Sequence, residues 1–431
     1  MTFSLLNRMT NLQTPLRYQA GDLSLVKEKV NNMIDITQAQ EIIKKNFKIF
    51  LPVERPLTES YGETLREDIF ADRDQPAFDK VLMDGIAINF AIWKTGCRNF
   101  KIQGIQAAGM KAGRLKRRDY CIEVMTGAVL PEGTDCVIPV EQIQVQSKKA
   151  KIDDGVSLQR MQNILRKGAD YRSGERLLRR GISLCTPAVA VVAAVGKKTV
   201  KVSSRPKVAI IGTGDELVDV GRPIKIFQIR TSNSYALQAA LQKNGFCETQ
   251  IFHLKDHATT MRKEIRWILK TFDVLILSGG VSMGKFDYVP QVLAELGVKV
   301  LFHKVRQKPG KPFWFGVKKG GAAVFALPGN PVSTLVCFYR YVLPQLKRSL
   351  GLTKISKEYA VLTEAVRTSA SLTYFLPVVV DFRNAGQLIA TPISTSGSGD
   401  YLALAQSDGF VELGAGSCHF SSGTEVPLYR W

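Results

Sequence analysis

Paired cysteines of the kind that hold metals or staple small secreted folds are missing from this sequence. Its seven cysteines (Cys97, Cys121, Cys136, Cys185, Cys247, Cys337 and Cys418) are odd in number, widely spaced and never Cys-x-x-Cys. That pattern excludes a disulfide framework and a structural zinc site, and it points to a cytoplasmic chain. No apolar run approaches the roughly 18 residues a membrane-crossing helix needs, and the opening MTFSLLNRMTNLQ is too weakly apolar for a signal peptide. Internal repeats and low-complexity tracts are also missing. There is no Gly-x-Ser-x-Gly elbow to support Ser/His/Asp catalysis. His253 and His257 stand four apart, but on a strand-to-loop stretch where they would not share a metal.

Acidic residues are the scarce charge. Against 38 Asp+Glu stand 59 Lys+Arg, a formal net charge of +21. An excess of this size suits polyanionic partners, nucleic acid or a membrane surface among them. The basic residues are scattered, however, with Lys116-Arg117-Arg118 the one triple, and no RNP-like, zinc-finger or helix-turn-helix signature accompanies them. The sequence therefore reads as a protein with small anionic ligands, not a nucleic-acid or membrane binder.

What is present is an ordinary globular composition, 45% apolar and 23% charged, over 431 residues, enough for two to four domains. Residues 1–32 are polar with little periodicity and read as an N-terminal extension. Thr37 is positioned to cap a helix with Ala39, Ile42, Ile43 and Phe47 on one face, and a second periodic piece runs from Leu57 to Ile69. Together with a helix near Pro187–Val195, these predict a discontinuous helical domain over 33–71 and 170–205. The intervening 72–169 holds short β runs with turn signals and reads as an inserted β domain. Residues 206–352 alternate strands and helices, which predicts an α/β domain. Residues 353–431 return to short strands and predict a small barrel or sandwich.

The stretch Asp273–Leu346 carries the most chemistry. Its apolar runs Val274–Leu277, Val300–Phe302 and Ala322–Leu327 each feed a loop of Gly, Ser, Pro, Asn and Lys. In a parallel sheet such loops gather at the carboxyl ends of the strands and form a ligand crevice. Ser278-Gly279-Gly280-Val281-Ser282 offers hydroxyls and bare N–H groups. Lys308-Pro309-Gly310-Lys311-Pro312 fixes two lysines on a stiff turn, and Lys304 precedes it. Leu327–Ser333 (LPGNPVS) joins a Gly-Asn turn to a helix start, where Asn330 and Ser333 would meet an oxyanion. Upstream, GTGDEL at Gly212–Leu217 follows a strand without completing the dinucleotide fingerprint. Asp215, Glu216, Asp256 and Asp287 all fall after predicted strand ends. Carboxylates beside a lysine-rich phosphate site suit Mg²⁺.

Taken in order, MDG (Met83–Gly85), MTGA (Met125–Ala128), PEGTDCVIPVE, ILRKGADYRSGE, GTGDEL, SNSYAL, LSGGVSMGKFDY, KPGKPFWFG and LPGNPVS resemble the molybdopterin molybdenumtransferase family, bacterial molybdenum-insertion enzymes related to the E domain of gephyrin. The resemblance covers roughly 33–431. It implies an elongated helical domain with an inserted β domain, a three-layer α/β/α molybdopterin-binding domain and a C-terminal β barrel. It further implies a cytoplasmic homodimer with a composite cleft that transfers molybdate onto adenylylated molybdopterin with Mg²⁺, releasing AMP. Pterin-synthesis proteins and molybdoenzymes would be its partners. On the matching motifs, Asp84 and Thr126 would serve the cleft from the partner side, while Glu216, Asp256 and Asp287 would serve nucleotide and metal. Lys304, Lys308 and Lys311 would meet phosphate and molybdate, with Ser333 and Ser398 as further molybdate contacts. The chain departs from the family at Val81 and Ile86, and Leu372 stands about where the family has a molybdate-site arginine, so that Arg367 or Arg383 would have to replace it. A scaffold paralogue and a pterin adenylyltransferase are the alternatives; the second shares only the α/β domain.

Overall fold

A computed structural model describes residues 33–280, 288–383 and 386–431. The chain divides into two compact units, one made of Met1–Leu51 with Ser203–Trp431, the other of Pro52–Val202.

The first unit opens with helix α1 (Ile36–Asn46). Its cap is Asp35, not Thr37: the Asp35 carboxylate accepts from the Gln38 N–H at 2.7 Å, and the Gln38 side chain accepts from the Asp35 N–H. This reciprocal pair satisfies two otherwise orphaned donors. The central sheet comprises β1 (Val208–Thr213), β2 (Thr249–Leu254), β3 (Val274–Ser278), β4 (Val298–Phe302), β5 (Trp314–Lys318) and β6 (Ala323–Leu327), in the order β2-β1-β3-β6-β5-β4. β1, β2, β3 and β6 run parallel, and β5 is antiparallel to both of its neighbours. Successive side chains point to opposite faces. Val208, Ile210, Val274 and Ile276 accordingly pack with α1, with α2 (Ser232–Lys243) and with the helix that starts at Pro331. Ala209, Ile211, Leu275 and Leu277 pack instead with the helices Ala258–Thr271 and Val289–Glu295. Strands covered on both faces read as unbroken apolar runs, which is why they were legible in the sequence. Phe313, Trp314 and Phe315 are buried core residues.

The long helix expected at Val332–Ser349 is interrupted. α-Helix Pro331–Cys337 passes through a π turn at Phe338–Val342 into α-helix Leu343–Ser349. Pro344 lacks the N–H that an unbroken α ladder requires, and its ring crowds the carbonyl four residues back. The wider turn falls just ahead of it.

Beyond this helix, β7 (Glu358–Leu362), β8 (Thr373–Phe382), β9 (Leu388–Pro392), β10 (Gly409–Leu413) and β11 (Glu425–Arg430) hydrogen-bond in the order β8-β9-β7-β11-β10, and a β8–β10 pairing closes the sheet into a barrel. Gln307-Lys308, at the start of the lysine turn, adds alongside β8 with Gln307 opposite Thr373 and Lys308 opposite Tyr374. Arg340 ties three parts of the unit together. Its guanidinium donates to Glu412 Oε2 of β10 at 2.6 Å and to Gln40 Oε1 of α1 at 3.2 Å, while the Tyr429 hydroxyl of β11 donates to the same Glu412 oxygen at 2.8 Å.

In the second unit, strands Cys136–Pro139, Gly85–Ile88, Tyr120–Val124, Asn99–Gln106, Lys149–Ile152 and Ile143–Gln146 form one sheet in that order. A separate core draws Leu65 and Ile69 together with Leu184, Val192, Val200 and Val202. The helix expected over Leu57–Ile69 is not formed. Only a 3-10 turn at Leu57–Glu59 is helical, because Thr64 bridges Ser183 and Leu65 bridges Val202, which holds the backbone extended. The predicted Pro187–Val195 helix is present as Thr186–Ala194 and packs on this core, whereas α1 is buried against the central sheet of the other unit. The helical segments expected to form one domain therefore belong to two different cores.

Burial separates the cysteines chemically. It pushes the thiols of Cys121, Cys136 and Cys337 up to about 12, while Cys185, Cys247 and Cys418 are exposed. Since the thiolate is the reactive species, titration of the native protein with a chromogenic disulfide at pH 8 should modify those three exposed thiols quickly. Cys121, Cys136 and Cys337 should react only on denaturation; rapid labelling of all of them would contradict the packing described.

Candidate functional site

The carboxyl ends of the parallel strands are level. Gly212 lies opposite both His253 and Ser278, and Ser278 lies opposite Leu327. The loops that follow therefore open on one edge of the sheet, where two cavities lie side by side. The first, about 470 Å³, is lined by Thr213, Glu216, Arg230, Asn233, Gly279 and Asn330, among others. The second, about 690 Å³, is lined by Lys308, Lys311, Pro312, Ser333, Arg367 and Ser398, among others. Asn330 lines both, and its side-chain amide donates to Ser398 Oγ at 2.6 Å.

Two helix N-termini face the first cavity: α2 at Ser232 and Asn233, and the helix beginning at Pro331. Neither N-cap residue, Thr231 or Asn330, makes a side-chain capping bond. The Pro331 helix has no N–H at its first position and its Val332 N–H donates to the Ser398 carbonyl at 3.1 Å, so the open donors are those of α2, where they and the positive end of the helix dipole attract an anion. Ser278 also lines this cavity, but its buried hydroxyl accepts from the Asn233 side-chain amide at 2.8 Å. The same amide donates to the Gly329 carbonyl at 2.7 Å, so Asn233 clasps the β3 and β6 turns together.

The second cavity is the more basic. Its lysine turn is held from below by Gln307, a fully buried side chain whose amide donates to the Pro309 and Gly310 carbonyls at 3.2 Å each and whose oxygen accepts from the Tyr341 hydroxyl. Gly310 has φ +93, and a Cβ there would stand 2.6 Å from Gln307 Nε2 and 2.7 Å from Cys337 Sγ, so only glycine fits. The Lys308 ammonium lies 5.7 Å over the Tyr374 ring. Among the described residues neither Lys308 nor Lys311 has a carboxylate partner. The pair is free to neutralise a tetrahedral oxyanion.

Most of the residues singled out in the sequence gather here. Glu216, Ser278, Gly279 and Asn330 line the first cavity; Lys308, Lys311, Pro312, Asn330, Ser333 and Ser398 line the second. Gly280 continues the β3 turn beside Thr213. Lys304 lines neither cavity, since the chain after β4 bridges the N-terminal segment instead: the Lys304 carbonyl accepts from the Ile34 N–H, and Val305 pairs with Ile34. Ser282 and Asp287 lie outside the described residues. Asp256 follows β2, and its N–H donates to Asp215 Oδ1 at 3.3 Å, so the loops after β1 and β2 lie together. Among the described residues no group of three or more His, Cys, Asp or Glu side chains is placed to hold a metal. His253 and His257 do not cooperate: one ring bonds the Gly214 carbonyl, the other the Thr260 hydroxyl.

Asp84 and Thr126 belong to the second unit, where their two motifs meet. The Thr126 N–H and hydroxyl donate to Asp84 Oδ1 at 2.6 and 2.7 Å, which holds the exposed carboxyl below the ordinary aspartate range. Three residues escaped the sequence reading. Asn233 lay within SNSYAL without a role, Gln307 adjoins the lysine turn without any pattern of its own, and Arg230 ends the segment before α2. Of the two arginines weighed against Leu372, Arg367 lines the second cavity beside Leu372 itself, whereas the Arg383 N–H closes the β8–β9 connection onto the Gln387 carbonyl.

Three family models match the chain in succession: the MoeA N-terminal region (domain I and II) over residues 34–196, a probable molybdopterin binding domain over 209–348, and the MoeA C-terminal region (domain IV) over 359–431. A molybdopterin molybdenumtransferase of Synechocystis is 38% identical over 400 residues, which is 93% of this chain and 100% of the relative. One of Haemophilus influenzae is 31% identical over 379 residues, 86% of this chain and 92% of the relative. A solved molybdopterin biosynthesis MoeA protein from Pyrococcus horikoshii superposes with a TM-score of 0.78 at 31% identity, covering 93% of this chain and 99% of that one.

Proposed function

Since this chain belongs to the molybdopterin molybdenumtransferase family, and is therefore an enzyme of molybdenum cofactor biosynthesis, we propose that its two adjoining cavities divide the reactants of molybdenum insertion. The first cavity takes the pyrophosphate and nucleotide of adenylylated molybdopterin, and the second takes molybdate. The observation that carries this is Asn330, which lines both cavities and so puts two anion sites in contact. Two anions repel unless each is neutralised. The N-terminus of α2 and Arg230 do this on one side, Lys308, Lys311 and Arg367 on the other. Ser333 and Ser398 supply hydroxyls to the molybdate oxygens. Arg367 supplies the guanidinium that Leu372 does not, which favours an active enzyme over a scaffold.

Mg²⁺ fits the donor chemistry of the first cavity. Glu216 lines it and Asp256 sits on the neighbouring loop, both hard oxygen donors, with Asp287 as the third ligand. When bound, the ion would polarise the pyrophosphate as AMP leaves. Asp84 and Thr126 serve a composite cleft in a cytoplasmic homodimer, where the hydrogen-bonded and ionised Asp84 orients substrate. Pterin-synthesis proteins and molybdoenzymes are the expected upstream and downstream partners.

The test is reconstitution. Purified protein incubated with molybdate, Mg²⁺ and adenylylated molybdopterin should release AMP and yield a cofactor that activates an apo-molybdoenzyme. Chelation by EDTA should stop AMP release, and added Mg²⁺ should restore it. Tight binding of both substrates without AMP release would instead support the scaffold reading.

A further inference from the structure

Thr213 ends β1 at the wall of the first cavity. The residue is 3% exposed, and among the described residues its hydroxyl has no hydrogen-bond partner. A buried hydroxyl without a partner is a standing cost in a folded protein, and the side chains around it have not removed that cost. Gly279 and Gly280 lie beside it. A Cβ at Gly280 would stand 2.6 Å from Thr213 Oγ1, and one at Gly279 would stand 3.2 Å away, so any larger residue in that turn would crowd the hydroxyl. The same cavity is lined by Ser232 and Asn233 at the open N-terminus of α2, and by Arg230, which precedes it. The α2 N–H groups and the Arg230 guanidinium are donors that line one volume.

We propose that Thr213 is a substrate-contact residue whose hydroxyl donates to a phosphoryl oxygen of the nucleotide in the first cavity. This rests on the reading of that cavity given above and adds to it a residue that the sequence motif did not single out. In the empty protein the hydroxyl is unsatisfied; in the complex it gains a charge-assisted bond. Valine has the same shape and lacks the hydroxyl, so the substitution should act in opposite directions on the two states.

The experiment measures AMP binding by isothermal titration calorimetry, and melting temperature with and without AMP, for wild type, Thr213→Val and Thr213→Ser. The expected result is a Kd raised about 10-fold or more in Thr213→Val, the loss of one hydrogen bond to a charged group. Its ligand-free melting temperature should be unchanged or higher than wild type, because an unsatisfied hydroxyl has been removed. Thr213→Ser should bind as wild type does. Thr213→Val that binds AMP with wild-type affinity overturns the inference and leaves the cavity assignment standing. So does a ligand-free melting temperature that falls along with affinity, since that marks the hydroxyl as structural. Wild type that does not bind AMP overturns the cavity assignment itself, and the inference with it.

Discussion

Lys308→Ala and Lys311→Ala are each expected to cut molybdate insertion about 100-fold, on a loss of about 3 kcal/mol for a charge-assisted contact to a dianion. The two lysines stand on one turn held by Gln307, which bonds both intervening carbonyls. Gln307-Lys308 is in turn annealed to β8 of the barrel. A lysine on a loose loop would lose side-chain entropy on binding and return little; on this turn the backbone part of that cost is met by folding. The loss should appear mainly in the molybdate dependence, with nucleotide affinity unchanged, because neither lysine lines the first cavity. Both are exposed, so the melting temperature should hold within about a degree, as for surface substitutions generally. AMP release assayed over a molybdate series checks this. Full activity in both variants would remove the second cavity from the mechanism.

The largest stability effect is expected at Arg340→Ala. The Arg340–Glu412 pair has side-chain exposures of 10% and 17%, too enclosed for solvent to stand in for a missing partner. Burial alone makes such a pair a doubtful source of net stability, but breaking it strands the remaining charge and costs about 3–5 kcal/mol. Glu412 would keep only the Tyr429 hydroxyl, and Gln40 of α1 would lose its partner as well. A unit of this size should melt roughly 10 °C lower by calorimetry. The double variant Arg340→Met/Glu412→Leu should recover most of the loss, since two apolar groups leave no buried charge. A single variant that melts with wild type would show that Arg340 does not tie helix, barrel and α1 together.

The parts that were readable in the sequence share a local cause. Strands β1, β3 and β6 of the central sheet were legible because both of their faces are buried, so each is a nearly continuous apolar run. The lysine turn was legible because two prolines and a glycine leave the chain little choice of conformation. Leu57–Ile69 was misread because its apolar spacing suits a helix, while bridges to Ser183 and Val202, far along the chain, hold it extended. The pairing of the segment after β4 with Ile34 was not legible for a similar reason, since the two lie far apart in the chain.

The sequence alone determined which chemistry is available: an anion site of lysines, hydroxyls and helix starts on an α/β sheet, in a chain whose ordered motifs carry a family resemblance. Local spacing and composition suffice for that. Only the tertiary structure decided that the strand-end loops enclose two cavities sharing Asn330, that Arg367 lines one of them with Leu372, and which polar partners Asn233, Gln307 and Thr213 find. Those contacts depend on which polar atoms meet once distant segments pack. A buried amide with partners and a buried hydroxyl without one look the same in a sequence.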